Sequence, residues 1–390
     1  MKSNSSFSFF TPTRIEYGPN KADTLLAEIH NLDATFPLIV TDRGVMDAGL
    51  LGKIETQLQQ NKFPFDIFSD IASNPTDISV AAAADLAREK GHDLVIGVGG
   101  GSAMDAAKAI AFLALNGGRV HDYFGYDKME KRGLPLITIP TTAGTGSEVT
   151  IWAVITDTRG EIPIKASVGS GLICPNVALV DPCMTLSMPP LLTAYTGLDA
   201  LSHAVEGYCA RAANPISDVL ALAAIDLIAT YLAPAVFHGD NLEARDHMML
   251  GSLMAGLAFS NADTAAVHSM GEAIGGMYDT HHGLIMGVLM PHVMRYNLMA
   301  CPTRYAAIAK AMGENIAGLS QMDAAEKAVA AVQRLNRILD LPALKDLGVE
   351  EGSFADLSKI AMENLGTVDN PRKMTAAGFE EILNSAYYLS

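Results

Sequence analysis

The sequence predicts two domains, an α/β domain with a parallel sheet and flanking helices followed by an all-α domain, and three observations carry that prediction. The chain has 390 residues, 49% of them hydrophobic, which is long for a single core. Its first half alternates short β-rich runs with helical patterns, as a helix-covered parallel sheet requires. From Pro189 onward the β-branched runs disappear, and Ala, Leu and Met recur at helical spacing as far as Tyr388. The division is set at residue 185, giving domains over 1–185 and 186–390.

Each element follows from local pattern. Apolar runs at 36–41, 65–68 and 94–98 read as strands, and the stretches 45–60, 80–90 and 103–115 after them read as helices. Further strands are expected at 135–140 and 177–180, with a hairpin over 150–167 around Arg159-Gly160. In the helical half the breaks are set at Pro189-Pro190, Asn214-Pro215, Pro291, Pro302 and Asn370-Pro371.

Charge and cysteine content narrow the function. Against 27 basic residues stand 43 acidic ones, a formal net charge of −16, which repels nucleic-acid phosphate and anionic membranes. The four cysteines have no CxxC spacing and are too sparse for a disulfide framework, so a reducing, cytoplasmic setting is expected. The N-terminus, 1–10, has no apolar core of a leader, and the apolar stretch 94–115 is interrupted by Asp105 and Lys108. Neither a signal peptide nor a membrane span is expected.

The segment LVIGVGGGSAMDAAK runs from a strand through Gly99, Gly100 and Gly101 into a helix starting near Ser102. Glycines there let backbone approach a phosphate, and the helix N-terminus favours an anion. The plainer reading is a tight turn with Ser102 and Asp105 as a capping box. The pattern is not GxGxxG, and it opens the third βα unit instead of the first. A second turn, PTTAGTGSE, follows another strand and offers three threonine hydroxyls to a pyrophosphate and ribose. Asp42, closing the strand 36–41, is suited either to ribose hydroxyls or to capping the helix after it.

In the helical half TGLDALSHAVEGY sets Asp199 and His203 four residues apart, on one helix face. His268 lies on a second helix, and His282 follows in DTHHGLIMG. Three imidazoles and a carboxylate make a borderline N/O donor set for iron, zinc or a similar divalent ion, although spacing alone leaves buried core histidines as the alternative. Glu206 and Glu272, one turn beyond, fit either the site or surface charge. The Met-rich stretch 248–254 fits core packing.

GGGSAMDAAK, PTTAGTGSE, TGLDALSHAVEGY, the 268–282 segment and LMPHVMRYN together resemble the iron-containing alcohol dehydrogenases, which share the dehydroquinate synthase-like fold. The likeness runs through nearly the whole chain, including Asn74-Pro75-Thr76 and Asn370-Pro371-Arg372. It implies an N-terminal nucleotide domain, a C-terminal helical metal domain and an active site between them. It implies metal ligands Asp199, His203, His268 and His282, holding iron or alternatively zinc. For NAD it implies Gly99, Gly100, Gly101, Ser102, Asn74, Thr141, Thr142, Thr145 and Lys165, with Asp42 on the ribose. His282 and Glu272 are the candidate catalytic residues, Glu272 as a proton acceptor or a partner of the metal ligands, with a carboxylate turned to solvent as the alternative. Many relatives carry histidine where this chain has Glu272; a carboxylate there still accepts a proton but adds negative charge.

The expected reaction is oxidation of a small alcohol, or reduction of the matching aldehyde, by a homo-oligomer of two or more copies. A same-fold dehydrogenase of a hydroxy acid or polyol is the alternative, as is a non-catalytic nucleotide- or metal-binding protein. A dehydroquinate synthase, or a dehydrogenase of a phosphorylated substrate, needs a Lys/Arg cluster that the ligand segments lack.

Overall fold

The computed structural model describes residues 6–160 and 163–388. The chain divides into two compact units. One spans Phe10 to Met188 except Ala143–Thr145; the other holds Pro189 onward, Ala143–Thr145 and the described residues before Phe10. Of the N-terminal stretch read for a leader, 1–5 lies outside the described residues.

In the α/β unit the strands are β1 (Arg14–Tyr17), β2 (Pro37–Val40), β3 (Asp66–Phe68), β4 (Leu94–Gly99), β5 (Gly125–Tyr126), β6 (Leu136–Pro140), β7 (Trp152–Asp157), β8 (Ile164–Gly169) and β9 (Val177–Val180). Its helices are α1 (Leu25–Asn31), α2 (Arg43–Asp47), α3 (Gly52–Gln60), α4 (Asp77–Lys90) and α5 (Gly101–Asn116). Six strands form one sheet in the order β1-β9-β6-β4-β2-β3, every pairing parallel. β4 and β6 are buried at every residue, which is why LVIGVG and LITIP are nearly unbroken apolar runs. Successive residues of β2 feed opposite faces: Leu38 joins a core with Ala83, Ala87 and Ile110, and Ile39 one with Ile54, Leu58 and Leu179.

In the α/β unit several details differ from the expected pattern, among them the short strand β5. β1, written RIEY, is a four-residue edge strand without an apolar run, so its sequence carries no strand signal. Because β1 and α1 come first, the glycine-rich turn after β4 opens the fourth βα unit, not the third. The stretch read as one helix over 45–60 is two, α2 and α3, separated where Gly49 takes φ 70°. The hairpin formed by β7 and β8 lies as expected around Arg159-Gly160, pairing Thr156 with Lys165.

The other unit contains α6 (Pro190–Cys209), α7 (Pro215–Phe237), α8 (Leu242–Phe259), α9 (Ala266–Tyr278), α10 (His282–Asn297), α11 (Pro302–Ala311), α12 (Gln321–Ile338), α13 (Phe354–Glu363) and α14 (Ala376–Tyr388). Its described residues include no strand. α6 is buried at every residue from Thr196 to Cys209, the mark of a central helix. Asn214 caps α7 by accepting the Ile216 and Ser217 N–H groups, and α6, α7 and α11 start at their prolines.

Pro291 does not break the chain; it lies inside α10. Proline cannot give Gly287 its helical hydrogen bond, and the Asn336 side chain of α12 donates to that carbonyl instead, at 2.7 Å. By length and composition α7 could cross a membrane, with mean hydropathy 2.0 over its most apolar window. It packs against α6 and α8 and buries Ala221, Ala224, Ile225, Ile228 and Leu232.

Candidate functional site

The buried helix α6 carries Asp199 and His203 one turn apart, with His203 Nδ1 3.8 Å from Asp199 Oδ1. α9 adds His268, whose Nε2 is 3.6 Å from the same oxygen. The first residue of α10, His282, places its Nε2 3.6 Å from that oxygen too. That close start depends on Gly283: a Cβ there would lie 2.0 Å from the Tyr195 carbonyl oxygen of α6. Asp199, His268 and His282 offer ligand atoms within 4.8 Å of one another. His203 adjoins this trio, its ring centroid 4.3 Å from that of His268, and stacks on Phe259 at 4.1 Å.

Glu206 is no surface charge. It is 4% exposed, accepts the His268 Nδ1 hydrogen bond at 2.6 Å, and accepts the Val267 and His268 backbone N–H groups at 2.6 and 3.3 Å. One carboxylate thereby caps the start of α9 and turns His268 so that Nε2 faces Asp199. Its spacing three residues after His203 was the available signal; its burial was not visible in the sequence.

Burial works to raise the Asp199 pKa, but His203, then His268 and His282, hold it below the usual carboxylate range. His203 is lowered to about 4 by burial, against the pull of Asp199. For His268 burial is outweighed by Asp199 and Glu206, and its pKa rises to about 10. Among the described residues Asp199 Oδ1, His203 Nδ1 and His268 Nε2 are buried without hydrogen-bond partners, an arrangement that costs free energy unless something meets them. A divalent cation suits this hard-to-borderline N/O set.

Glu272 lies one turn beyond His268 on α9 and is half-buried. Asn364 donates to its Oε2 at 2.6 Å. The separation of 92 positions along the chain leaves no sequence signal that Asn364 meets Glu272.

In the α/β unit Asp42, Gly99, Gly100, Gly101, Ser102, Thr141 and Thr142 lie at or just after the C-terminal ends of adjacent strands β2, β4 and β6, where ligands of open parallel sheets bind. Gly99 ends β4 with φ 153°, and a Cβ on it would lie 2.7 Å from the Ala103 Cβ and 3.2 Å from Asp42 Oδ2. Gly100 is the residue before α5 and gives that helix no side-chain cap. Thr141 N–H donates to the Gly99 carbonyl at 3.0 Å, and a Cβ on Gly100 would lie 3.3 Å from Thr142 Oγ1. Ser102 Oγ donates to the Ser73 carbonyl, beside Asn74. Asp42 does cap α2, its Oδ1 accepting Val45 N–H at 3.0 Å, while Oδ2 faces the glycine turn.

Lys165 sits on β8 opposite Thr156, whose N–H donates to Pro75 at 2.8 Å, so this hairpin joins the 74–76 segment. Thr145 groups with the helical unit. Asp105 forms no capping box with Ser102: its two oxygens accept from Ser147 Oγ and Val154 N–H.

Family comparison joins both halves. The model of iron-containing alcohol dehydrogenases matches residues 12–182, and that of the C-terminal region of the Fe-containing alcohol dehydrogenase family matches 193–387. The chain belongs to the iron-containing alcohol dehydrogenase family. Relatives include the 1,3-propanediol dehydrogenase of Klebsiella pneumoniae, 39% identical over 98% of this chain and 99% of that one. The NAD-dependent methanol dehydrogenase of Bacillus methanolicus is also 39% identical, over 97% of this chain and 99% of that one. Among solved structures of the family, a 1,3-propanediol oxidoreductase superposes with a TM-score of 0.95, at 39% identity over 98% of this chain and 100% of that one.

Proposed function

We propose that this member of the family oxidises a small alcohol, or reduces the matching aldehyde, using NAD and a divalent ion, iron or alternatively zinc. The observation that carries the proposal is the convergence of Asp199, His268 and His282 on one buried point, with His203 beside them. These four residues hold the ion, and Glu206 fixes the His268 ring. When bound, the ion polarises the alcohol hydroxyl and the nicotinamide supplies the hydride acceptor.

The chain's own residues do the rest. Gly99, Gly100, Gly101 and Ser102, with Asn74, Thr141, Thr142, Thr145 and Lys165, bind and orient the dinucleotide. Asp42 disfavours a 2′-phosphate by placing negative charge beside it. Glu272 accepts the hydroxyl proton, steadied by Asn364.

The relative named as an NAD-dependent methanol dehydrogenase supports the choice of cofactor and the small substrate. Four free thiols support a cytoplasmic location, and the net charge of −16 opposes nucleic acid or anionic membrane as partners. Exposed Ile216, Val219 and Phe237 on α7 support self-association.

The test is anaerobic assay of metal-loaded protein with methanol, ethanol, propanol and 1,3-propanediol, following absorbance of reduced nicotinamide. Metal-dependent turnover with NAD is the expected result. No turnover in either direction with any alcohol or aldehyde would refute the proposal.

A further inference from the structure

α5 carries a buried charge network that the proposed reaction does not use. Asp105 and Lys108 lie three residues apart, on one face of the helix. Lys108 is 1% exposed, its Nζ donating to the Trp152 carbonyl at 2.6 Å and to Thr150 Oγ1 at 3.0 Å, with Asp105 Oδ1 3.8 Å away. Asp105 accepts from Ser147 Oγ at 2.6 Å and from Val154 N–H at 2.9 Å. The hydrogen-bond partners named here, Ser147, Thr150, Trp152 and Val154, all come from the stretch 147–154, which runs from the end of GTGSE into β7.

Burying two charges gives little stability over an apolar pair of the same volume, because desolvation offsets most of their attraction. What such a network supplies is direction: each hydrogen bond fixes one atom against another. Here it fixes α5, the helix that begins at the glycine turn, against the segment that follows the second turn. Two further contacts bind the same neighbourhood: Thr141 N–H on the Gly99 carbonyl, and Gly100 against Thr142.

We infer that Asp105, Lys108 and Ser147 are positioning residues that hold the α5 N-terminus and the second turn at the spacing a dinucleotide requires. None of the three is among the residues proposed to contact the cofactor. The inference rests on the proposed role of the glycine turn: a misplacement of about 1 Å of oriented groups can cost on the order of 10²-fold.

The experiment measures NADH affinity by fluorescence titration on metal-loaded Ser147→Ala, Asp105→Asn and Gly100→Val, together with metal content and the urea midpoint. Ser147→Ala leaves both charges in place and removes one hydrogen bond, so it reports positioning even if Asp105→Asn fails to fold. Ser147→Ala is expected to weaken NADH binding roughly fivefold or more and Asp105→Asn roughly tenfold or more. Both should raise KM for NAD while kcat at saturating NAD and the metal content stay near those of the parent. Gly100→Val, whose side chain meets Thr142, should abolish NADH binding. If Gly100→Val loses NADH and Ser147→Ala binds it within twofold of the parent, with only a lowered urea midpoint, the positioning inference is overturned and the glycine-turn reading stands. If Gly100→Val itself binds NADH normally, the glycine-turn reading fails and the inference falls with it.

Discussion

Asp42 and Glu206 show how one carboxylate can serve both fold and chemistry, and each can be separated by a substitution that keeps one role. Asp42→Asn preserves a good cap for α2, since asparagine accepts the Val45 N–H as well as aspartate does, and removes the charge facing Gly99. The ratio of kcat/KM for NADP over NAD should rise roughly tenfold or more with an unchanged thermal midpoint. An unchanged ratio would leave Asp42 as a helix cap alone. Glu206→Gln turns one acceptor oxygen into an NH2 donor facing the N–H groups of Val267 or His268. Competition with a chromophoric chelator should show metal affinity falling about 10- to 100-fold while NADH affinity is kept. Asp199 and His203 were legible as candidates from their i, i+4 spacing, whereas the full set with His268 and His282 came only from the family resemblance, since spacing alone left buried core histidines as the alternative. Glu206 and Asn364 were not, because a lone Glu or Asn takes its meaning from burial and from partners distant in the chain.

Among the elements, α10 and the turn before β7 make separate claims. If Asn336 supplies the donor that Pro291 withholds, Asn336→Leu leaves the buried Gly287 carbonyl without a partner. Chemical unfolding should show a loss of about 1–3 kcal/mol; an unaltered midpoint would mean the carbonyl finds another donor. Glu148, 2% exposed, has its pKa raised by burial from 4.5 to about 7. The folded chain therefore keeps this proton up to about pH 7, while the unfolded chain releases it near 4.5, so stability declines as pH rises across that window. Glu148→Gln should flatten the decline, so that its stability relative to the parent rises as pH rises across that window. Equal slopes in the two proteins would contradict it. Central strands and long helices were readable because burial on both faces or one face stamps a period on the sequence. The edge strand β1 was not, since a four-residue edge with no fully buried residue imposes no pattern, and α10 hid its continuity because the rescue of Pro291 comes from another helix.

For the whole molecule, the sequence separated a β-rich half from a helical half because a parallel sheet and a helical core select different residues. Function is proposed to follow the same division, with dinucleotide contacts mainly in the α/β unit and metal ligands in the helical one. The most direct measurement is metal stoichiometry, alcohol turnover and NADH affinity on the same preparation of His268→Ala. The account expects bound metal and turnover to be nearly lost while NADH binds as in the parent. Full metal occupancy with normal turnover in that variant would contradict it.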